Sequence, residues 1–156
     1  EDLINSWISR KNKDAKIHLL LTGIRPKEIT ELNKDKNFTF IEGSLSEQYL
    51  SDLFSTVDFL FLNYKSITNS GQFYLATNYS LPVIAPDLDF FKMHSSQKTS
   101  ILFESNKELS MQIDNIIDKI EKGWAFDAKE MERMNFNYDP KNSVFRLIEQ
   151  LKILID

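Results

Sequence analysis

A chain of 156 residues fits one domain and is long enough to bury an ordinary core. Lysine and arginine total 19 against 23 aspartates and glutamates, a formal charge of −4. That balance argues against a broad nucleic-acid surface, because neutralising phosphates needs clustered positive charge. Cysteine is absent, which excludes disulfides, Cys-ligated zinc and a thiol nucleophile, and a hydrophobic share of 42% argues against wholesale disorder.

Strand-like and helix-like runs alternate along the chain. Leu3, Ile4, Trp7 and Ile8 recur at helical spacing, and the polar run 11–14 closes that helix. Opening directly on an amphipathic helix, with no basic start and apolar block, reads as a piece excised from a longer protein rather than a signal peptide. Residues 17–21 form an apolar strand with a turn at Thr22 and Gly23. Pro26 suits the first turn of a helix running to about Asn33. Residues 38–41 make the next strand, stopped by Gly43, and Ser46 is placed to cap a helix carrying Tyr49, Leu50, Leu53 and Phe54.

Residues 58–63 are almost wholly apolar, which places that strand in the middle of a covered parallel sheet. A polar loop over 65–70 leads into a helix from Gly71 to about Tyr79, followed by strands at 82–85 and 101–103. Leu109, Ile113, Ile116, Ile117 and Ile120 form a core-facing helical stripe ended by Gly123. A short helix over 128–134, a loop at 138–140 and an amphipathic helix marked by Val144, Leu147, Ile148, Leu151 and Leu154 complete the pattern. Such alternation implies an α/β fold, a Rossmann-like doubly wound parallel sheet with C-terminal helices, over a single domain 1–156.

Ligands of open parallel sheets bind outside the carboxyl ends of the strands. That rule points to residues 22–25, 42–45, 63–65, 68–72 and 86–87. At Ser70, Gly71 and Gln72 a loop enters a helix, so backbone amides and the positive helix end face the strand ends. This arrangement can hold a phosphate or diphosphate, with a hydroxyl donor added by Ser70 or Thr68. The competing reading is a simple N-cap with a glycine for packing.

The stretch 58–64, then Ser70 and Gly71, Ala76, and 81–85, resembles the donor-site signature of GT-B glycosyltransferases, most of all the retaining group one, or family four. Residues 14–23 and 40–43 resemble the second and third strands of that family's donor domain, so the likeness runs from Leu3 to about Ile120. It implies that the chain binds a nucleotide diphosphate sugar as donor substrate, with no other cofactor and no metal. It also implies an N-terminal domain of the same longer chain and a polysaccharide, glycolipid or surface-glycan acceptor.

Carried over, Gly23 and Arg25 sit on the phosphate-side turn, and Glu42, Gly43 and Ser44 where base contacts arise. Asn69, Ser70, Gly71 and Gln72 face the diphosphate and sugar, with Tyr64 and Thr68 beside them. The resemblance further implies a hexosyltransferase of the cytoplasm or inner membrane face, any membrane association being made through the missing domain. It assigns no catalytic residue. Two departures stand out. Ile67 and Leu75 occupy positions where the family often carries two glutamates, and the family's basic residues for the diphosphate would lie upstream of Glu1.

Other candidates have duller readings. His18 reads as a sheet residue, His94 as a surface residue near the loop at Pro86 and Asp87, and Lys65 as a solvated charge. Asp87 and Asp89 resemble a carboxylate pair but read better as a cap after a strand. A receiver-like signalling domain fails on placement, because Asp58 starts its strand instead of ending it. A non-catalytic nucleotide- or partner-binding α/β module is the alternative to an enzyme.

Overall fold

The computed structural model describes residues 2–105 and 107–138; the expected turn at 139–140 and the helix marked by Val144 to Leu154 lie outside them. In chain order the elements are α1 (Asp2–Ser9), β1 (Leu19–Gly23), α2 (Ile29–Leu32), β2 (Phe38–Glu42), α3 (Glu47–Phe54), β3 (Leu60–Phe61), α4 (Gly71–Asn78), β4 (Val83–Pro86), α5 (Asp89–His94), β5 (Ser100–Phe103), α6 (Leu109–Glu121) and α7 (Ala128–Tyr138). The expected α/β class is observed, with the strands in two sheets, β1-β2 and β3-β4-β5. Two compact units divide the chain, one within 1–55 and 103–125, the other within 56–102 and 126–156.

In the first unit β1 and β2 pair in parallel, from Leu19 opposite Phe38 to Gly23 opposite Glu42. Trp7, Ala15, Leu32, Phe38, Ile113 and Ile117 form its buried centre, with Leu3, Ile4 and Ile8 of α1 packed against it. The apolar stripes of α1 and α6 therefore meet as their spacing predicts. Ser46 caps α3, its side chain accepting from the Tyr49 amide at 3.2 Å. Pro26 does not open a continuous helix: turns follow it, and α2 is the four residues Ile29–Leu32. Arg10, just past α1, is buried in this unit. Its Nη1 donates to the Trp7 carbonyl at 2.8 Å and to Asp35 Oδ2 at 2.5 Å, and its guanidinium lies 4.0 Å from the Trp7 ring centroid.

In the second unit β3 pairs with β4 in parallel, and β4 lies between β3 and β5. This corrects the expectation for residues 58–63. The strand there is two residues long and half-buried, whereas all four residues of β4 are buried. The apolar run marks a strand partner, and the middle position goes to the segment bracketed by two prolines. A second difference is α5, which spacing did not reveal. Leu88 precedes it without a side-chain cap, so no start signal exists; Phe90 and Phe91, both buried, hold it by packing. Finally, α7 runs on through Tyr138, where a loop is expected. Asp127 Oδ1 starts it by accepting from the amides of Lys129 and Glu130.

Two helices end in the same hydrogen-bonded closure. After α6, Gly123 has φ +90°, its amide reaches Ile120 O at 3.0 Å, and the Trp124 amide reaches Lys119 O at 3.2 Å. After α4, Ser80 has φ +52°, with Ser80 N to Thr77 O at 3.0 Å and Leu81 N to Ala76 O at 2.9 Å. Both are Schellman motifs, which favour glycine at the left-handed position because a side chain crowds the backbone there. Ser80→Gly should therefore raise stability, by up to about 1 kcal/mol in chemical denaturation. A variant less stable than wild type would mean that the serine side chain supports the turn.

Candidate functional site

The parallel register of β1 and β2 brings two turns to one end of their sheet. Gly23 (φ +128°) and Gly43 (φ +97°) both occupy left-handed backbone, and the Gly43 amide donates to Gly23 O at 2.8 Å. An open depression of about 450 Å³ lies there, lined by Gly23, Ile24, Arg25, Glu42, Gly43 and Ser44. Five of these six are expected site residues. Ile24, which lies in the expected turn 22–25 but was not singled out as a binding residue, is 96% exposed; an apolar side chain between a glycine and an arginine on a turn is the signal that could have found it.

Arg25 and Glu42 form an ion pair across the depression's lining. Arg25 Nε and Nη2 both donate to Glu42 Oε2, at 3.0 and 2.5 Å. The hydrogen bond from Arg25, and then its charge, holds the Glu42 carboxyl below its usual range; the same bond raises Arg25. Both side chains are more than half exposed, so the pair contributes little to stability. Its consequence is local: Arg25 does not present an uncompensated positive charge.

The second group of expected residues surrounds the start of α4. Ser70 Oγ accepts from the Phe73 amide at 3.1 Å and is buried, 3% exposed. Tyr64 donates its hydroxyl to Gln72 Oε1 at 3.1 Å and stands 3.4 Å from Ser70 Oγ. The Tyr64 ring stacks on Phe91 with centroids 6.2 Å apart. Thr68, Asn69, Gly71 and Gln72 are exposed. Ser70 is therefore the cap of the helix and turns its oxygen inward, while Ser66 and Thr68 are the exposed hydroxyl residues of this loop.

With Phe73 capped, the amides of Gly71 and Gln72 are those of the first turn without a partner inside the helix. Gly71 needs no left-handed backbone, and a Cβ built on it would meet nothing within 4 Å. Packing is thus not the reason for glycine at this position, contrary to the competing reading of the sequence.

The remaining candidates fall away from these two groups. His18 precedes β1, is exposed, and shares a 2.8 Å hydrogen bond with Thr39 Oγ1. His94 is half-buried rather than free at the surface. Its Nδ1 lies 2.7 Å from the Tyr138 hydroxyl, and its ring packs against Phe90, Tyr138 and Tyr74, with centroids 4.7, 5.5 and 6.3 Å away. The aromatic members of this cluster are spread over α4, α5 and α7, so no local pattern announced it. Asp87 stands 3.6 Å from Lys92 Nζ, and Asp89 lies within α5 after Leu88, so neither caps the helix. Among the described residues no group of three or more His, Cys, Asp or Glu is placed to hold a metal, and no helix is long and apolar enough to cross a membrane. Ile67 and Leu75 are half-buried apolar residues and offer no carboxylate. In comparisons with protein-family models and with curated proteins, no family model and no curated protein matches this chain.

Proposed function

We propose that this chain is the donor-binding part of a hexosyltransferase that uses a nucleotide diphosphate sugar. The observation that carries the reading is the start of α4. A glycine required by neither backbone conformation nor packing sits where two helical amides and the positive helix end are exposed. Glycine there has a physical reason if a bulky anion approaches the backbone closely. The Thr68 hydroxyl and the outer face of Gln72, whose Oε1 is occupied by Tyr64, add donors to the same surface. The order of motifs described from the sequence supports the glycosyltransferase class, and a polysaccharide, glycolipid or surface glycan is the acceptor it would serve. A cytoplasmic location, at the inner membrane face where the acceptor is lipid-linked, belongs to the same proposal.

NMR titration of the chain with UDP, GDP and ADP tests this. Amide shifts at Gly71 and Gln72 are expected; a silent spectrum at millimolar nucleotide would overturn the reading. The apolar Ile67 and Leu75 favour a second reading, a non-catalytic nucleotide-binding module, because no carboxylate stands there to orient sugar hydroxyls. Release of nucleotide from a donor sugar by the full-length protein separates the two.

A further inference from the structure

Within the second unit, α7 sets one ring against two other helices. The Tyr138 ring meets Tyr74 and Phe73 of α4 with centroids 5.0 and 6.1 Å away, and lies 5.5 Å from His94 at the end of α5. These are separations at which aromatic pairs attract. Its hydroxyl stands 2.7 Å from His94 Nδ1 and 3.4 Å from the His94 carbonyl oxygen, one of the last carbonyls of α5, which have no partner further along the helix. Phe73 joins this contact to the exposed amides of α4. It directly follows Gly71 and Gln72, its own amide is held by Ser70 Oγ at 3.1 Å, and its ring packs on Phe91 at 5.9 Å. Phe91 in turn carries the Tyr64 ring at 6.2 Å, and the Tyr64 hydroxyl donates to Gln72 Oε1 at 3.1 Å. Two routes therefore lead from Tyr138 to the first turn of α4, one through the backbone of Phe73 and one through Phe91 and Tyr64. Phe73 and Phe91 are fully buried, and a close-packed interior passes on a displacement instead of absorbing it.

We propose that Tyr138 is a positioning residue: its ring, docked by α7, sets the first turn of α4 so that the Gly71 and Gln72 amides serve one anion. This role rests on the donor-binding reading for its ligand, and adds α7 to the elements that build the site. The coupling is reciprocal. An anion held better when α7 is docked must in turn hold α7 in place.

Inorganic pyrophosphate is the probe. In wild type its addition should slow hydrogen exchange in α7 more than in α6, which belongs to the other unit. Tyr138→Leu keeps apolar volume at a half-buried position but removes the ring and the hydroxyl. It should shift the Gly71 and Gln72 amides in the ligand-free spectrum and weaken pyrophosphate binding, read by calorimetry, by roughly threefold to tenfold. Tyr138→Phe should keep most of the affinity, since its ring still meets Phe73 and Tyr74. A merely structural Tyr138 would give a Leu variant that melts earlier yet has wild-type amide positions and affinity when folded; that result would overturn the assignment. So would protection by pyrophosphate no greater in α7 than in α6, a result that needs no variant. If wild type binds no pyrophosphate, the donor reading and this one fail together; binding that Tyr138→Leu leaves unaltered removes this one alone.

Discussion

Replacing Asp35 with alanine should destabilise the chain by about 3–5 kcal/mol, because the substitution leaves a buried guanidinium without its counter-charge. Arg10 is 1% exposed and already has two donors, Nε and Nη2, with no hydrogen-bond partner. Its charge is compensated by Asp35, and its remaining support is the Trp7 carbonyl and the face of the Trp7 ring. Arg10→Met should cost far less, no more than about 1–2 kcal/mol, since it removes the two orphan donors and keeps the apolar volume. Asp35 is then still served by Trp7 Nε1 at 3.1 Å and the Asn37 amide at 2.9 Å, and at 17% exposure it reaches water. Urea denaturation of the two variants measures the difference directly. An Arg10→Met variant as unstable as Asp35→Ala would refute the asymmetry.

The same pair sets a pH dependence. The hydrogen bond from Arg10 holds the Asp35 carboxyl below its ordinary value of 3.8, with the Asn37 amide and Trp7 adding to it against the cost of burial. A carboxyl lowered on folding contributes stability that is complete above the unfolded-state value. That contribution is lost as pH falls below 3.8 through the lower folded value. Wild type should therefore lose stability in that window, and Asp35→Ala should lose less. Equal slopes would show that other carboxylates dominate acid unfolding.

What was legible in the sequence was periodic or local. The stripe of Ile113, Ile116 and Ile117, the cap at Ser46 and the stop at Gly123 each follow from a few neighbouring residues, and all three are observed. The parallel pairing of β1 with β2 also carried the turn residues Gly23 to Arg25 and Glu42 to Ser44 to one end of a sheet, as strand–helix alternation demands. Features built from distant residues were not legible. The ion pair of Arg10 with Asp35 spans 25 positions, and the contact of His94 with Tyr138 spans 44. Neither has a spacing to betray it. Apolar content also misled: residues 58–63 look more like a central strand than Val83–Pro86, yet neighbours on both sides, not composition, make a strand central. Ser70 was read correctly as a cap, and its oxygen turns inward to accept from its own helix.

Gly71 offers the sharpest separation of folding from binding. Gly71→Leu should leave the fold intact and raise its stability by a few tenths of a kcal/mol, since leucine has the better helix propensity and its Cβ meets nothing within 4 Å. The gain should stay small because the residue opens the helix rather than lying inside it. Binding should respond in the opposite direction. The side chain would stand over the amides of Gly71 and Gln72, and loss of even one hydrogen bond to an anion weakens binding by roughly tenfold or more. UDP and pyrophosphate should weaken together, since what is obstructed is the phosphate site. Thermal denaturation alongside calorimetry reads both effects on one sample. If the leucine variant were as stable as expected and bound both ligands like wild type, the start of α4 would not be where the phosphate lies. A variant that lost binding only with its fold would instead make Gly71 a structural residue. The bare surface around its Cα argues against that outcome, so stable folding with weakened phosphate binding is the result expected of this residue.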